Sequence, residues 1–167
     1  MSDYFELLSI ERKYDIDLKK LDQQYLAMQI RHHPDRSIDK VQKQQNLSIS
    51  IDINKAYNTL KDDTKRAEYI LSLNGLKLDD PSIQTNTSAL ELQNIWNELE
   101  ILENTEDLII LENLYNQKTI EKNKLITDLK RIFEQNKLQD ALDTTIKLKY
   151  LNNLIDNIQL NIKNFKQ

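Results

Sequence analysis

The chain has 167 residues, no cysteine, one glycine, two prolines and a net charge of −4. Its length suffices for a buried core in one domain or two small ones, while the missing cysteine excludes disulfides, thiolate metal sites and cysteine nucleophiles and fits a reducing compartment. So little glycine and proline leaves almost no material for tight hairpins or Gly-rich loops, so the class expected is all-α, and the acidic balance makes nucleic acid a poor partner.

In chain order, "DYFELLS" predicts a short helix over 3–9 capped by Ser2 or Asp3. Asp17 is a good N-cap for a second helix whose apolar residues fall at Leu18, Leu21, Tyr25 and Met28, with Lys19, Lys20, Gln23, Gln24 and Arg31 facing outward. That helix must stop near His33, because Pro34 lacks an N–H and pushes the preceding residue out of the α region. A third helix is expected from Lys40 to Lys61, inner face Ile49, Ile53, Ala56 and Leu60, and a fourth through "KRAEYILSL", opened by Asp62 or Asp63 and closed by Gly75 in a left-handed cap. The polar stretch 76–86, "LKLDDPSIQTN", reads as a linker. Beyond it three amphipathic helices are expected, over 87–103, over 105–135 and from Leu138 onward, the last carrying Leu148, Leu151, Ile155, Ile158, Ile162 and Phe165 as the seam of an antiparallel pair.

No segment is apolar for long enough to span a bilayer. The N-terminal "MSDYFELL" shows neither a basic n-region with an apolar run nor an Arg-rich presequence, so a soluble, cytoplasmic protein is expected.

The feature that the helices leave unexplained is His33-Pro34-Asp35, which holds one of the two histidines and one of the two prolines. A metal site is disfavoured, because adjacent histidines cannot both turn to one ion on a helix and no third nitrogen or sulfur ligand exists. An oxyanion hole would need tight glycine turns that this chain lacks, so no catalysis of its own is expected. A plain helix stop is one reading. The other is a docking tip between two antiparallel helices: Pro34 stiffens the backbone, Asp35 offers a carboxylate to a partner's arginine, and His33 offers a neutral donor and acceptor. A rigid tip loses little entropy when it binds.

This tripeptide, preceded by "DYFELLSI" and followed by "INKAYNTLKDDTKRAEYILSLNG", resembles a J-domain. With "KRAEYILSLNG" and the C-terminal "DALDTTIKLKYLNNL", the whole chain is similar to the HscB-type J-domain co-chaperones of iron-sulfur cluster assembly, in their bacterial form without a cysteine-rich N-terminal element. The resemblance implies a J-domain over 1–75, a linker over 76–86 and a three-helix bundle over 87–167. It implies stimulation of a 70-kDa heat-shock ATPase (HscA-like) through His33, Pro34 and Asp35, helped by Lys19, Lys20, Arg31 and Arg36. Gln24 and Ile30 stand where the family often carries basic residues, so slower or more salt-sensitive docking is expected. It also implies that an IscU-like scaffold protein is held by Ala89, Leu90, Gln93, Asn94, Asn97 and Ile101 with Tyr150. A monomer with no cofactor, no resident metal, no nucleic acid and no membrane completes the expectation. The rival is a structural helical protein that dimerises through the seam at Leu148 to Ile162.

Overall fold

The computed structural model describes residues 3–33, 35, 38–80, 102, 105 and 107–166. Among the described residues the regular structure is helical throughout: α1 (Tyr4–Leu7), α2 (Leu18–Arg31), α3 (Lys40–Lys61), α4 (Asp63–Leu73), α5 (Leu108–Glu134) and α6 (Leu138–Phe165). The helix expected over 87–103 lies, apart from Leu102, outside the described residues, as do linker positions 81–86.

Aspartate starts almost every helix. Asp3 accepts from the N–H of Phe5, Asp17 from those of Lys19 and Lys20, Asp39 from Gln42, Asp62 from Lys65 and Asp107 from Ile109 and Ile110. Each carboxylate satisfies orphan first-turn N–H groups and meets the positive end of the helix dipole. Among the described helices only α6, preceded by Lys137, begins with no side-chain cap.

Three helix ends share one turn. After α1, Ser9 lies at φ 52, its N–H donates to Glu6 O, and that of Ile10 donates to Phe5 O at 2.8 Å. After α4, Gly75 lies at φ 80 with Gly75 N–H to Ser72 O and Leu76 N–H to Leu71 O. After α5, Asn136 lies at φ 54 with Asn136 N–H to Phe133 O and Lys137 N–H to Ile132 O. These are Schellman motifs, in which one left-handed residue lets the chain satisfy the last carbonyls while it turns away.

The chain divides into two compact units, Met1–Ile70 and Leu71–Gln167. In the first, Phe5, Leu8, Tyr14, Leu21, Ile53, Ala56 and Leu60 are the buried centre, and the expected inner face of α3 is the observed one. Leu18 departs from expectation: at the first position of α2 it is exposed, because the inward line begins only at Leu21. Arg66 is 3% exposed, and a buried guanidinium must have every donor occupied to be tolerated. Its Nε donates to Tyr14 O at 2.8 Å and its Nη1 to Leu60 O at 2.6 Å, while Nη2 pairs with Asp63 and the guanidinium stacks on the Tyr14 ring. The chain start is tied to α4 as well, since Tyr4 N–H donates to Tyr69 Oη at 2.9 Å and the two rings stack at 4.4 Å.

In the second unit α5 and α6 pack antiparallel across the short turn at Asn136. Leu111, Leu151, Leu154, Ile155 and Ile158 form one buried cluster with Leu102, and Leu129, Leu142 and Leu148 are buried as well. The expected seam is thus buried inside the chain from Leu148 to Ile158. The seam weakens at its end, where Ile162 is half-buried and Phe165 exposed.

Candidate functional site

The α2–α3 hairpin is held along its length by polar cross-links. Tyr25 Oη and Gln29 Nε2 both donate to Asn54 Oδ1 at 2.8 Å, Ser50 Oγ donates to Gln29 Oε1 at 3.0 Å, and Tyr57 Oη donates to Asp22 Oδ1 at 2.8 Å. The rings of Tyr25 and Tyr57 stack with centroids 4.0 Å apart, and Lys61 Nζ donates to Tyr57 Oη, which raises the Lys61 pKa. These pairings set an antiparallel register, so the hairpin delivers His32, His33 and Asp35 to its free end.

At that end α2 stops at Arg31, and the N–H of its C-cap, His32, donates to Met28 O. His33 and Asp35 are both exposed. The backbone N–H of Asp35 donates to His33 Nδ1 at 3.2 Å, and the Asp35 carboxylate lies 3.7 Å from the same nitrogen. With Nδ1 engaged by the Asp35 N–H, Nε2 is the ring nitrogen left for a partner. The turn therefore offers a partner one imidazole nitrogen and one carboxylate, held together by a local bond.

The basic residues of α2 are spread rather than clustered. Lys19 and Lys20 expose their side chains in its first turn and Arg31 in its last, where a cation suits the negative helix end. Pro34 and Arg36 lie outside the described residues. So do Ala89, Leu90, Gln93, Asn94, Asn97 and Ile101, and of the residues expected to hold a scaffold only Tyr150 is described. Tyr150 is half-buried on α6 and packs against the cluster of Leu111, Leu151, Leu154 and Ile155, so part of its ring is structural. Close by in sequence, Gln159 Nε2 donates to Tyr115 Oη and Lys166 pairs with Glu112 along a groove of about 660 Å³ between α5 and α6. Among the described residues no group of three or more His, Asp or Glu is placed to hold a metal ion. No described helix is long and apolar enough to cross a membrane.

Two family matches cover the chain: the DnaJ domain over residues 3–69, and the HSCB C-terminal oligomerisation domain over residues 92–159. The "Co-chaperone protein HscB homolog" of Neisseria meningitidis is 35% identical over 162 residues, covering 95% of this chain and 98% of that protein. The "Co-chaperone protein HscB" of Proteus mirabilis is 32% identical over 165 residues and 94% of each chain. Among solved structures, the chaperone HscB from Vibrio cholerae superimposes with a TM-score of 0.81 at 28% identity, covering 98% of this chain and 99% of that one. The human co-chaperone protein HscB superimposes with a TM-score of 0.87 at 24% identity, covering 96% and 82%, a likeness of fold.

Proposed function

The chain belongs to the HscB family of J-domain co-chaperones, and from that premise we propose that His33, Pro34 and Asp35, flanked by Lys19, Lys20, Arg31 and Arg36, are the surface that engages the ATPase domain of an HscA-like 70-kDa chaperone. The protein is a co-chaperone of iron-sulfur cluster assembly that acts with a 70-kDa heat-shock ATPase. The single observation that carries the proposed contact is the exposed turn at the end of the hairpin, with its carboxylate and its imidazole linked by the Asp35 N–H. In this reading the ATP chemistry belongs to the partner and this chain supplies contacts.

The second half of the reading is a scaffold site on the C-terminal bundle, formed by Ala89, Leu90, Gln93, Asn94, Asn97, Ile101 and Tyr150 and taking an IscU-like protein. The proposed division is a J-domain over 1–75, a linker over 76–86 and a bundle over 87–167, working in the cytoplasm as a monomer. Holding motor and client on one chain raises their local concentration for each other.

The test is steady-state ATP hydrolysis by an HscA-like chaperone, titrated with this protein in the presence and absence of an IscU-like scaffold. Stimulation by both together that exceeds the sum of each alone is the expected result. Stimulation without that excess removes the scaffold role, and no stimulation removes the J-domain contact.

A further inference from the structure

The single glycine of the chain, Gly75, directly follows Asn74, so every other asparagine is followed by a residue with a side chain. Asn74 and Gly75 are both exposed and form the Schellman turn that closes α4. Gly75 lies at φ 80, and a Cβ placed on it would meet no atom within 4 Å, so the space beside it is open. The turn falls between the stretches matched by the two families, residues 3–69 and 92–159.

An asparagine side chain can be attacked by the main-chain nitrogen of the next residue. The step is easiest when that residue is glycine, because no Cβ crowds the approach and the backbone is free to reach the attacking geometry. Asn136 supplies a comparison within the same chain. It is exposed and ends α5 in a Schellman turn too, but its successor is Lys137.

The geometry points to Asn74 as a site of spontaneous deamidation, in which Gly75 N closes a succinimide ring on the Asn74 side chain and thereby undoes the cap of α4. In the closed turn Gly75 N–H donates to Ser72 O at 3.1 Å and Leu76 N–H to Leu71 O at 3.0 Å, which holds the nitrogen in line with the helix. Helix ends fray, and each opening of the last turn frees it. Gly75 N then gives its proton to solvent and attacks Cγ of Asn74. The N–Cγ bond forms, the Cγ–Nδ2 bond breaks, and the side-chain nitrogen leaves as ammonia. Water reopens the ring: cleavage at Cγ yields aspartate, and cleavage at the main-chain carbonyl yields isoaspartate, whose chain runs on through Cβ. Nothing is oxidised or reduced.

The products fit the turn poorly. The imide nitrogen has no proton to give Ser72 O. Isoaspartate lengthens the main chain between Leu71 and Leu76, so the two N–H groups lose register with their acceptors. Either acid also sets a carboxylate at the negative end of the α4 dipole, with Asp79 and Asp80 close behind in sequence. Conversion is therefore a one-way loosening of the end of α4.

The experiment incubates the full folded chain near neutral pH, labels isoaspartate with an isoaspartyl methyltransferase and maps the label by tryptic peptides. Asn74 is the only asparagine between Arg66 and Lys77, so that peptide reports it alone. Label is expected there and not at Asn136. It is expected to vanish in Asn74→Gln and in Gly75→Ala, and to appear at Asn136 in Lys137→Gly. Because Gly75→Ala also strains the turn, loss of label in that variant is owed to the added Cβ and not to a tighter cap. The deamidated fraction, separated by anion exchange, is expected to lose hydrogen-exchange protection at the Leu76 amide. Label at residue 74 in the urea-unfolded chain but none in the folded one overturns the inference, since the turn then protects its asparagine. Equal label at Asn74 and Asn136, or in Gly75→Ala and the native sequence, overturns the role of Gly75. Unchanged Leu76 protection in the deamidated fraction overturns the loss of the cap.

Discussion

Asp35 donates its backbone N–H to Nδ1 of His33, so one of the two described residues of the turn holds the other in place. Both are exposed, and substitutions at such sites move folding stability by no more than about 0.5 kcal/mol. His33→Gln is accordingly expected to lower ATPase stimulation about ten-fold or more with an unchanged thermal melt. Turnover and melting measured on the same preparation check it; a variant that stimulates like the native sequence takes His33 out of the interface.

Arg66 joins three stretches of the J-unit, bonding Tyr14 O, Leu60 O and the Asp63 carboxylate from a buried position. Arg66→Met keeps much of the volume but orphans two carbonyls, at a cost of about 2–4 kcal/mol. Arg66→Lys is not expected to rescue it, since one ammonium cannot reach the directions that the fork spans. Urea unfolding of the three proteins decides this, and equal midpoints for Lys and Arg would remove the geometric argument.

Ser9 and Asn136 occupy the left-handed region at φ 52 and 54, where glycine is at no disadvantage. Ser9→Gly and Asn136→Gly are each expected to alter stability by less than about 1 kcal/mol, stabilising where relief of strain exceeds the added freedom of the unfolded chain. Gly75→Ala is the sharper case. Its new Cβ meets nothing within 4 Å, so the loss of about 1 kcal/mol expected there is the price of φ 80 alone. Thermal melts read all three, and an unaffected Gly75→Ala contradicts the strain account.

Burial pushes the Tyr14 phenol well above its ordinary pKa, with the charge of Asp63 adding to the shift and Arg66 opposing it. The folded state thus holds this proton more tightly than the unfolded chain does. Its contribution is complete below the unfolded value, near 10, and is lost as pH rises from there through the folded value. The stability of the native sequence should therefore fall more steeply above about pH 10 than that of Tyr14→Phe, as denaturant midpoints across that range would show. Parallel profiles would mean that Tyr14 does not titrate on unfolding.

Much of the helical frame was legible because it is written in local chemistry. Asp17 and the spacing of Leu21, Tyr25 and Met28 announce α2, and the expected limits of α3, Lys40 and Lys61, are the observed ones. The single glycine announces the left-handed turn after α4. Ser9 and Asn136 make the same turn without that signal, since neither residue type is confined to it. The burial of Arg66 has no local signal, because it depends on carbonyls of Tyr14 and Leu60 that only the folded chain brings to it. The His33–Asp35 turn stood out through its proline, yet the bond between its residues did not. The client-side residues Ala89 to Ile101 rest on resemblance alone.

The bond from Tyr4 to Tyr69 has a consequence for how the chain is made. Residues 65 apart must meet before the J-unit closes, so during synthesis Tyr4 waits until α4 has left the ribosome. The hairpin need not wait: its cross-links run between residues 22 and 57, and it can zip once α3 has emerged. Vectorial synthesis thus favours an order in which the hairpin forms first and the bond between Tyr4 and Tyr69 forms last.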